Sequence, residues 1–155
     1  MTLSSPLLRP ALNSEIPEIV EMIGEYHALD HLAFDSELTL RLLAQLVNDS
    51  ALGKLFAIVA PGSGGELSGY LILAHSFSIE YRGKDAFIDE FYLREKYRGQ
   101  GLGHQVLKEV QAHARSDGIE VLHLEVERKN ARAMGLYRKV GFRDQDRYLL
   151  TFGMS

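Results

Sequence analysis

Apolar residues at Ile16, Ile19, Val20 and Ile23 recur at helical spacing behind a cap at Asn13 or Ser14, which predicts a helix with Pro17 in its first turn. Leu7 to Ala11, just before it, reads as a short strand. The helix fades between Tyr26 and Asp30, and a second one, capped by Asp35 or Ser36, carries Leu38, Leu42, Leu43 and Leu46. The period then shortens. Lys54 to Ala60 and Leu67 to His75 are β-rich runs, and the breakers Pro61-Gly62-Ser63-Gly64-Gly65 between them predict an antiparallel hairpin. A turn over Tyr81 to Asp85 leads into a further antiparallel strand, Ala86 to Leu93. Helical spacing returns from about Gly101 to Arg115 and is closed by Ser116-Asp117-Gly118, with the glycine placed for a left-handed C-cap. Ile119 to Val126 reads as a strand, Asn130 opens a shorter helix ending near Val140-Gly141-Phe142, and Tyr148 to Phe152 reads as a final strand. The order β-α-α-β-β-β-α-β-α-β describes an α/β chain.

Length and composition narrow the classes. The 155 residues suit a single domain spanning 1–155, with 46% hydrophobic and 25% charged residues and no run of about 20 apolar residues that would span a membrane. Met1 to Leu8 has neither a basic start nor an apolar core, so no secretory signal is expected and the expected compartment is the cytoplasm. A net charge of −4 opposes nonspecific attraction to a phosphate backbone, so neither nucleic acid nor membrane is an expected partner. With no cysteine there can be no disulfide, no thiolate metal site and no cysteine acyl-enzyme. His27 and His31 are the one histidine pair at helical spacing. No His-Glu-x-x-His pattern accompanies them, so polar or capping roles are read there and no metal is expected. The stretch from His27 to Asp35 is rich in aromatic and acidic groups. It reads either as a loop over a substrate site or as a segment in which Leu32 and Phe34 pack and the acids face water.

The richest local signal is Tyr97-Arg98-Gly99-Gln100-Gly101-Leu102-Gly103, after a strand and at the start of a helix. Alternate glycines let successive N–H groups turn toward one anion, the helix end adds its positive pole, and Arg98 adds a cation. Two better-known phosphate loops are excluded. His104-Gln105 replaces the Lys-Ser/Thr of a Walker loop, and His104 and Val106 stand where a dinucleotide fingerprint needs glycine or alanine. What remains, Arg-x-x-Gly-x-Gly on Arg98, Gly101 and Gly103, resembles the GNAT superfamily of acetyl-coenzyme A-dependent N-acetyltransferases. The stretch Asn130 to Phe142 resembles that family's second motif, Asn-x-x-Ala/Ser-x-x-x-Tyr-x-x-x-Gly-Phe, with Asn130, Ala133 and Tyr137 in place.

The resemblance implies a GNAT fold, a central mixed, mostly antiparallel, twisted sheet flanked by about four helices. It implies acetyl-CoA as cosubstrate, its pyrophosphate on Arg98, Gly99, Gln100, Gly101, Leu102, Gly103 and His104. Its pantetheine arm would lie along the backbone of Phe91, Tyr92 and Leu93 where that strand splays from its neighbour, with Asn130 and Ala133 also contacting the coenzyme. Tyr137 would give a proton to the departing sulfur, a role open to a phenol with ordinary pKa near 10. Arg94 and Lys96 flank Arg98 as further cations, either at the phosphates or solvated. Phe87-Ile88-Asp89-Glu90-Phe91-Tyr92-Leu93 looks similar to the diamine and polyamine branch, which has an acidic pair here. Asp89 then takes the substrate-contacting place and Glu90 its neighbour, and adjacency on a strand predicts opposite faces. Either carboxylate, or Glu125 beside His123 on the next strand, could serve as base or substrate contact. Without a cysteine, transfer is expected to be direct, to a small cationic amine such as a polyamine, diamine or lysine-like amino acid. The alternatives are a protein or peptide amine, or a non-catalytic coenzyme A-binding regulatory domain. The family resemblance also makes a homodimer expected, built on the Tyr148 to Phe152 edge.

Overall fold

The computed structural model describes residues 5–155. In chain order it contains β1 (Leu8–Pro10), α1 (Ile16–Leu29), α2 (Ser36–Asn48), β2 (Gly53–Ile58), β3 (Gly69–Ser78), β4 (Gly83–Leu93), α3 (Leu102–Ser116), β5 (Val121–Leu124) and α4 (Ala131–Lys139), with 3-10 turns at Asn13–Glu15 and Glu95–Tyr97. The chain divides into two compact units, one ending at Glu125 and the other running from Val126 to Ser155.

The first unit holds the sheet, in the order β1-β2-β3-β4-β5. Neighbours from β1 to β4 are antiparallel, and the β4–β5 pair, joined through α3, is parallel. Alternation gives the sheet two apolar faces. Leu55, Ala57, Tyr70, Ile72 and Tyr92 pack with Ile19, Met22 and Ile23 of α1 and Leu43 of α2. The residues of opposite parity turn to the other face, where Phe56 lies 5.0 Å from His113 of α3 and Ala86 packs with Ala114 and Ile119. Each such aliphatic side chain withdrawn from water contributes about 1.5–3 kcal/mol.

Helix ends follow local chemistry, not always at the expected residue. Neither Asn13 nor Ser14 caps α1. The chain first makes the 3-10 turn, and the Glu15 carboxylate accepts the Leu12 N–H at 2.7 Å while pairing with Arg9. A carboxylate that reaches backward satisfies the N–H of the residue before the turn, the second half of a capping box, in place of the forward bond that a short Asn or Ser side chain would make. Asp35 caps α2 as expected, accepting from the Leu38 N–H at 3.0 Å. α3 ends in a Schellman motif: Gly118, at φ 72°, donates to the Arg115 carbonyl and Ile119 to that of Ala114. α1 ends the same way, but the left-handed residue is His31, at φ 55°. The start of β1 is tied to α3, because the Glu109 carboxylate accepts the N–H groups of Leu7 and Leu8 at 2.7–3.0 Å.

β4 departs from simple alternation. Leu73 opposes Ile88 and Ile72 opposes Glu90, so Asp89 is an inserted residue with no partner on β3. The simple alternation on which opposite faces were expected for Asp89 and Glu90 is therefore interrupted between them. The bulge resets the pleat, so Phe87 and Glu90, three apart, oppose Ala74 and Ile72 and share the face that carries α1.

In the second unit, Asn130 caps α4 by accepting the Ala133 N–H at 3.1 Å. The expected strand at Tyr148 to Phe152 is not formed. The segment has no regular structure, and Tyr148, Leu150 and Phe152 are exposed. Its composition favours a pleated surface, but a strand exists only through a ladder, and within this unit there is only a helix beside it. The edge on which a dimer was expected is thus absent as a strand.

Candidate active site

Beyond Leu93 the chain passes through the Glu95–Tyr97 turn into the glycine loop and α3. Gly99 and Gly101 have φ of 74° and 81°, conformations that would cost an L side chain about 1–2 kcal/mol. Gly103 already lies in the first turn of α3, and a Cβ added at Gly101 would meet no atom within 4 Å. The glycines thus supply backbone direction and open space in front of the helix. No side chain caps α3, which leaves the N–H groups of Leu102, Gly103 and His104 to an anion at the positive helix end. A pyrophosphate fits this arrangement.

The cations near the loop differ. Arg98 donates through Nε to the Leu93 carbonyl at 2.7 Å, and its guanidinium lies 5.3 Å from the centre of the Tyr92 ring. That fixes the guanidinium where strand meets loop. Arg94 instead donates to Glu18 at 2.9 Å and the Leu67 carbonyl at 3.1 Å, and Lys96 donates to Glu66 at 2.7 Å. Both are engaged within the first unit. Gln100 donates to the Lys96 carbonyl at 2.8 Å, which closes the loop on itself.

The β4–β5 ladder covers only Asp85–Ile88 against Val121–Leu124, so β4 runs on to Leu93 with no strand on that side. The Arg94 N–H donates to Ser68 at the end of β3. Counting back by twos, Tyr92 and Glu90 use their backbone toward β3, while the N–H and C=O groups of Phe91 and Leu93 face the open side. Of the three residues expected to offer backbone there, Tyr92 does not; it contributes its side chain to the other cluster.

That cluster lies on the α1 face. The Glu90 carboxylate accepts the Tyr70 phenol at 2.7 Å through one oxygen and lies 2.7 Å from His27 Nε2 through the other. Burial, then the charge of Glu90, pushes the Tyr70 phenol far above its ordinary pKa, so it donates as a neutral hydroxyl. The Tyr92 hydroxyl donates to Glu25 at 2.9 Å. Desolvation first, and Glu90 second, hold the Asp89 carboxyl above its ordinary value, while His27 opposes the shift. Tyr70 was not singled out in the sequence, and His27 was read there only for a polar or capping role and as the start of a possible substrate loop. The aromatic and acidic composition after Tyr26 was the available signal for His27; nothing local marks Tyr70, which reaches Glu90 only because the bulge turns that carboxylate to its face.

Farther along the same face, His123 Nε2 lies 3.0 Å from the buried Asp85 carboxylate, whose other oxygen accepts from Ser76 at 2.7 Å. The rings of Tyr81 and Phe87 each stand 4.8 Å from that of His123. Glu125 lies one residue past β5 and is exposed. In the second unit, Asn130 Oδ1 is engaged by the Ala133 N–H, and the Tyr137 ring, 6.0 Å from that of Phe142, belongs to a phenol whose pKa burial pushes up.

Comparison with known proteins settles the family. A profile of the acetyltransferase (GNAT) family matches residues 20–142. This chain belongs to the GNAT acetyltransferase family. It is 30% identical over 148 residues to the thialysine N-epsilon-acetyltransferase of Sus scrofa, covering 92% of this chain and 86% of the relative. The protein of that name from Bos taurus is 36% identical over 87 residues, 55% of this chain and 51% of its own length. Among solved structures, an integron cassette protein from the mobile metagenome of Cole Harbour Salt Marsh aligns with a TM-score of 0.85 at 28% identity, covering 96% of this chain and 91% of that one. This GNAT acetyltransferase therefore presents an open strand edge, an anion cradle and, on the α1 face of β4, a carboxylate cluster. Among its described residues no helix is long and apolar enough to cross a membrane, and no group of three or more His, Asp or Glu side chains is arranged to hold a metal.

Proposed function

We propose that this acetyltransferase moves an acetyl group from acetyl-coenzyme A directly to the primary amine of a small cationic acceptor, of the polyamine, diamine or lysine-like class. The observation that carries this reading is the coincidence of the open edge of β4 with the carboxylates Asp89, Glu90 and Glu25 at the same end of the strand. The relatives named for thialysine support a lysine-like amine among the acceptors.

The coenzyme supplies an acetyl group already activated as a thioester. The cradle of Gly99, Gly101 and the first turn of α3 holds its pyrophosphate, with Arg98 as the nearby cation, and the outward backbone of Phe91 with the Leu93 N–H aligns its arm. Asp89 takes the proton that the ammonium must lose, directly or through water, before its nitrogen can attack. A carboxyl held above its ordinary pKa is the better base for that step. Glu90 and Glu25 favour the cationic acceptor electrostatically. The amine nitrogen forms the new amide bond as the carbon–sulfur bond breaks; Tyr137, protonated at neutral pH, gives its proton to the thiolate, and the second proton that the nitrogen sheds passes through water to restore the phenol.

The test is release of free thiol from acetyl-coenzyme A across polyamines, diamines, lysine analogues, aminoglycosides and peptides, with Tyr137→Phe and Asp89→Asn beside the wild type. Turnover on small polycations, falling at least about a hundredfold in each variant with coenzyme binding retained, is the expected result. Turnover confined to peptides would replace the acceptor class, and coenzyme binding without turnover on any amine would favour a regulatory domain.

A further inference from the structure

The first unit contains a device that ties its acidic cluster to the chain between α1 and α2. Glu90 is not a loose carboxylate, since one oxygen is held by Tyr70 and the other faces His27. The second ring nitrogen of His27, Nδ1, lies 3.4 Å from the carbonyl oxygen of Ala33, in the connection from Asp30 to Asp35. Both partners are acceptors, so whichever ring nitrogen carries the hydrogen faces one of them. That connection is seated by Phe34, whose ring stands 6.1 Å from that of His27, nearly perpendicular to it. The seat is a notch in α1 at Gly24, where an added Cβ would come within 2.9 Å of Phe34 Cε1 and 3.2 Å of its Cζ. A mid-helix glycine is unfavourable by roughly 0.5–1 kcal/mol relative to alanine, and here its absent side chain is what lets the ring approach.

The geometry points to His27 as a positioning residue for the acceptor site: seated by Phe34 in the Gly24 notch, the α1–α2 connection holds His27, and His27 with Tyr70 fixes the direction of the Glu90 carboxylate toward the amine. This rests on the acceptor reading above. Without the latch Glu90 keeps its charge but loses one of its two restraints, so the ammonium is held less well while the coenzyme cradle, in another part of the unit, is untouched. The connection also carries Leu32 and exposed acids, so an acceptor that contacts it is sensed at Glu90 through one side chain.

Three variants test this. Gly24→Ala crowds the seat while favouring the helix, His27→Phe keeps the ring but removes the polar nitrogens, and His27→Gln restores a donor toward Glu90. Steady-state kinetics with the preferred amine are expected to show KM for the amine raised by about tenfold or more in Gly24→Ala and His27→Phe. KM for acetyl-coenzyme A should be unchanged and His27→Gln partly restored. The Gly24→Ala/His27→Phe double variant should be no worse than His27→Phe alone, because both break one latch. Hydrogen exchange over residues 30–35, faster in Gly24→Ala and His27→Phe than in wild type, reads the latch independently of turnover. Wild type inactive on every amine sinks the acceptor reading alone. Unchanged amine KM and unchanged exchange in Gly24→Ala, additive losses in the double variant, or equal rises in both KM values overturn the latch.

Discussion

Asp89 shows how one residue inherits its chemistry from its neighbours. Its carboxyl is held up by desolvation and then by Glu90, so as a base it must become ionised, and activity should rise with pH through a value above the ordinary one for an aspartate. Glu90→Gln removes one of the two raising causes. The acidic limb of the kcat/KM profile for the amine is therefore expected to move to lower pH in that variant, at reduced amplitude; an unmoved limb would assign it to another group. His31 offers a test of a different kind. It occupies a left-handed position that glycine fills at the end of α3, so His31→Gly should stabilise the protein by about 0.5–1 kcal/mol in urea denaturation. A loss would mean that the His31 side chain makes a contribution larger than its backbone strain.

Among the elements, β1 depends most visibly on one side chain. Glu109 of α3 receives two main-chain donors where the buried Leu7 and Leu8 begin the strand. Glu109→Ala leaves both donors without a partner and should cost about 2–3 kcal/mol in equilibrium unfolding, with Glu109→Gln intermediate because an amide oxygen can still accept. The elements also mark where sequence reasoning reaches. The hairpin around Pro61 to Gly65, the Asp35 cap, the Gly118 terminus and the glycine loop were legible because each rests on residues within a few positions of one another. The bulge at Asp89 was not, since it depends on what β3 places opposite. The strand expected at Tyr148 to Phe152 failed for the same reason: its pattern records a preference, and pairing needs a partner the pattern does not name. Glu15 was overlooked as a cap because the usual signal is a short side chain before the helix. The site divides likewise. The left-handed turns at Gly99 and Gly101 could be read locally, whereas the meeting of His27, Tyr70 and Glu90 is tertiary.

For the molecule as a whole, ligand and fold are linked. A coenzyme that binds only the folded chain at a hundred times its Kd should add about 2.7 kcal/mol to the unfolding free energy and raise Tm accordingly. Gly101→Val, strained at φ 81°, should abolish most of that shift whatever its effect on the free protein, as measured by thermal scans with and without coenzyme A. A full shift in the variant would move the anion site away from the loop.

The inserted residue in β4 also constrains how this chain can change length. The hairpin at Pro61 to Gly65 can gain or lose residues at little consequence, since exposed turns absorb such edits. A deletion of Asp89 would turn the bulge into a regular ladder: Ile88 and Glu90 would become consecutive opposite Leu73 and Ile72, and every position from Glu90 to Leu93 would keep its face. Glu90 and Tyr92 would stay on the α1 side and Phe91 and Leu93 on the α3 side, and what would be lost is the local kink together with the carboxylate at its apex. The bulge is thus slack in the register, and descendants of this sequence would hold position 89 for its carboxylate rather than for the direction of the strand beyond it.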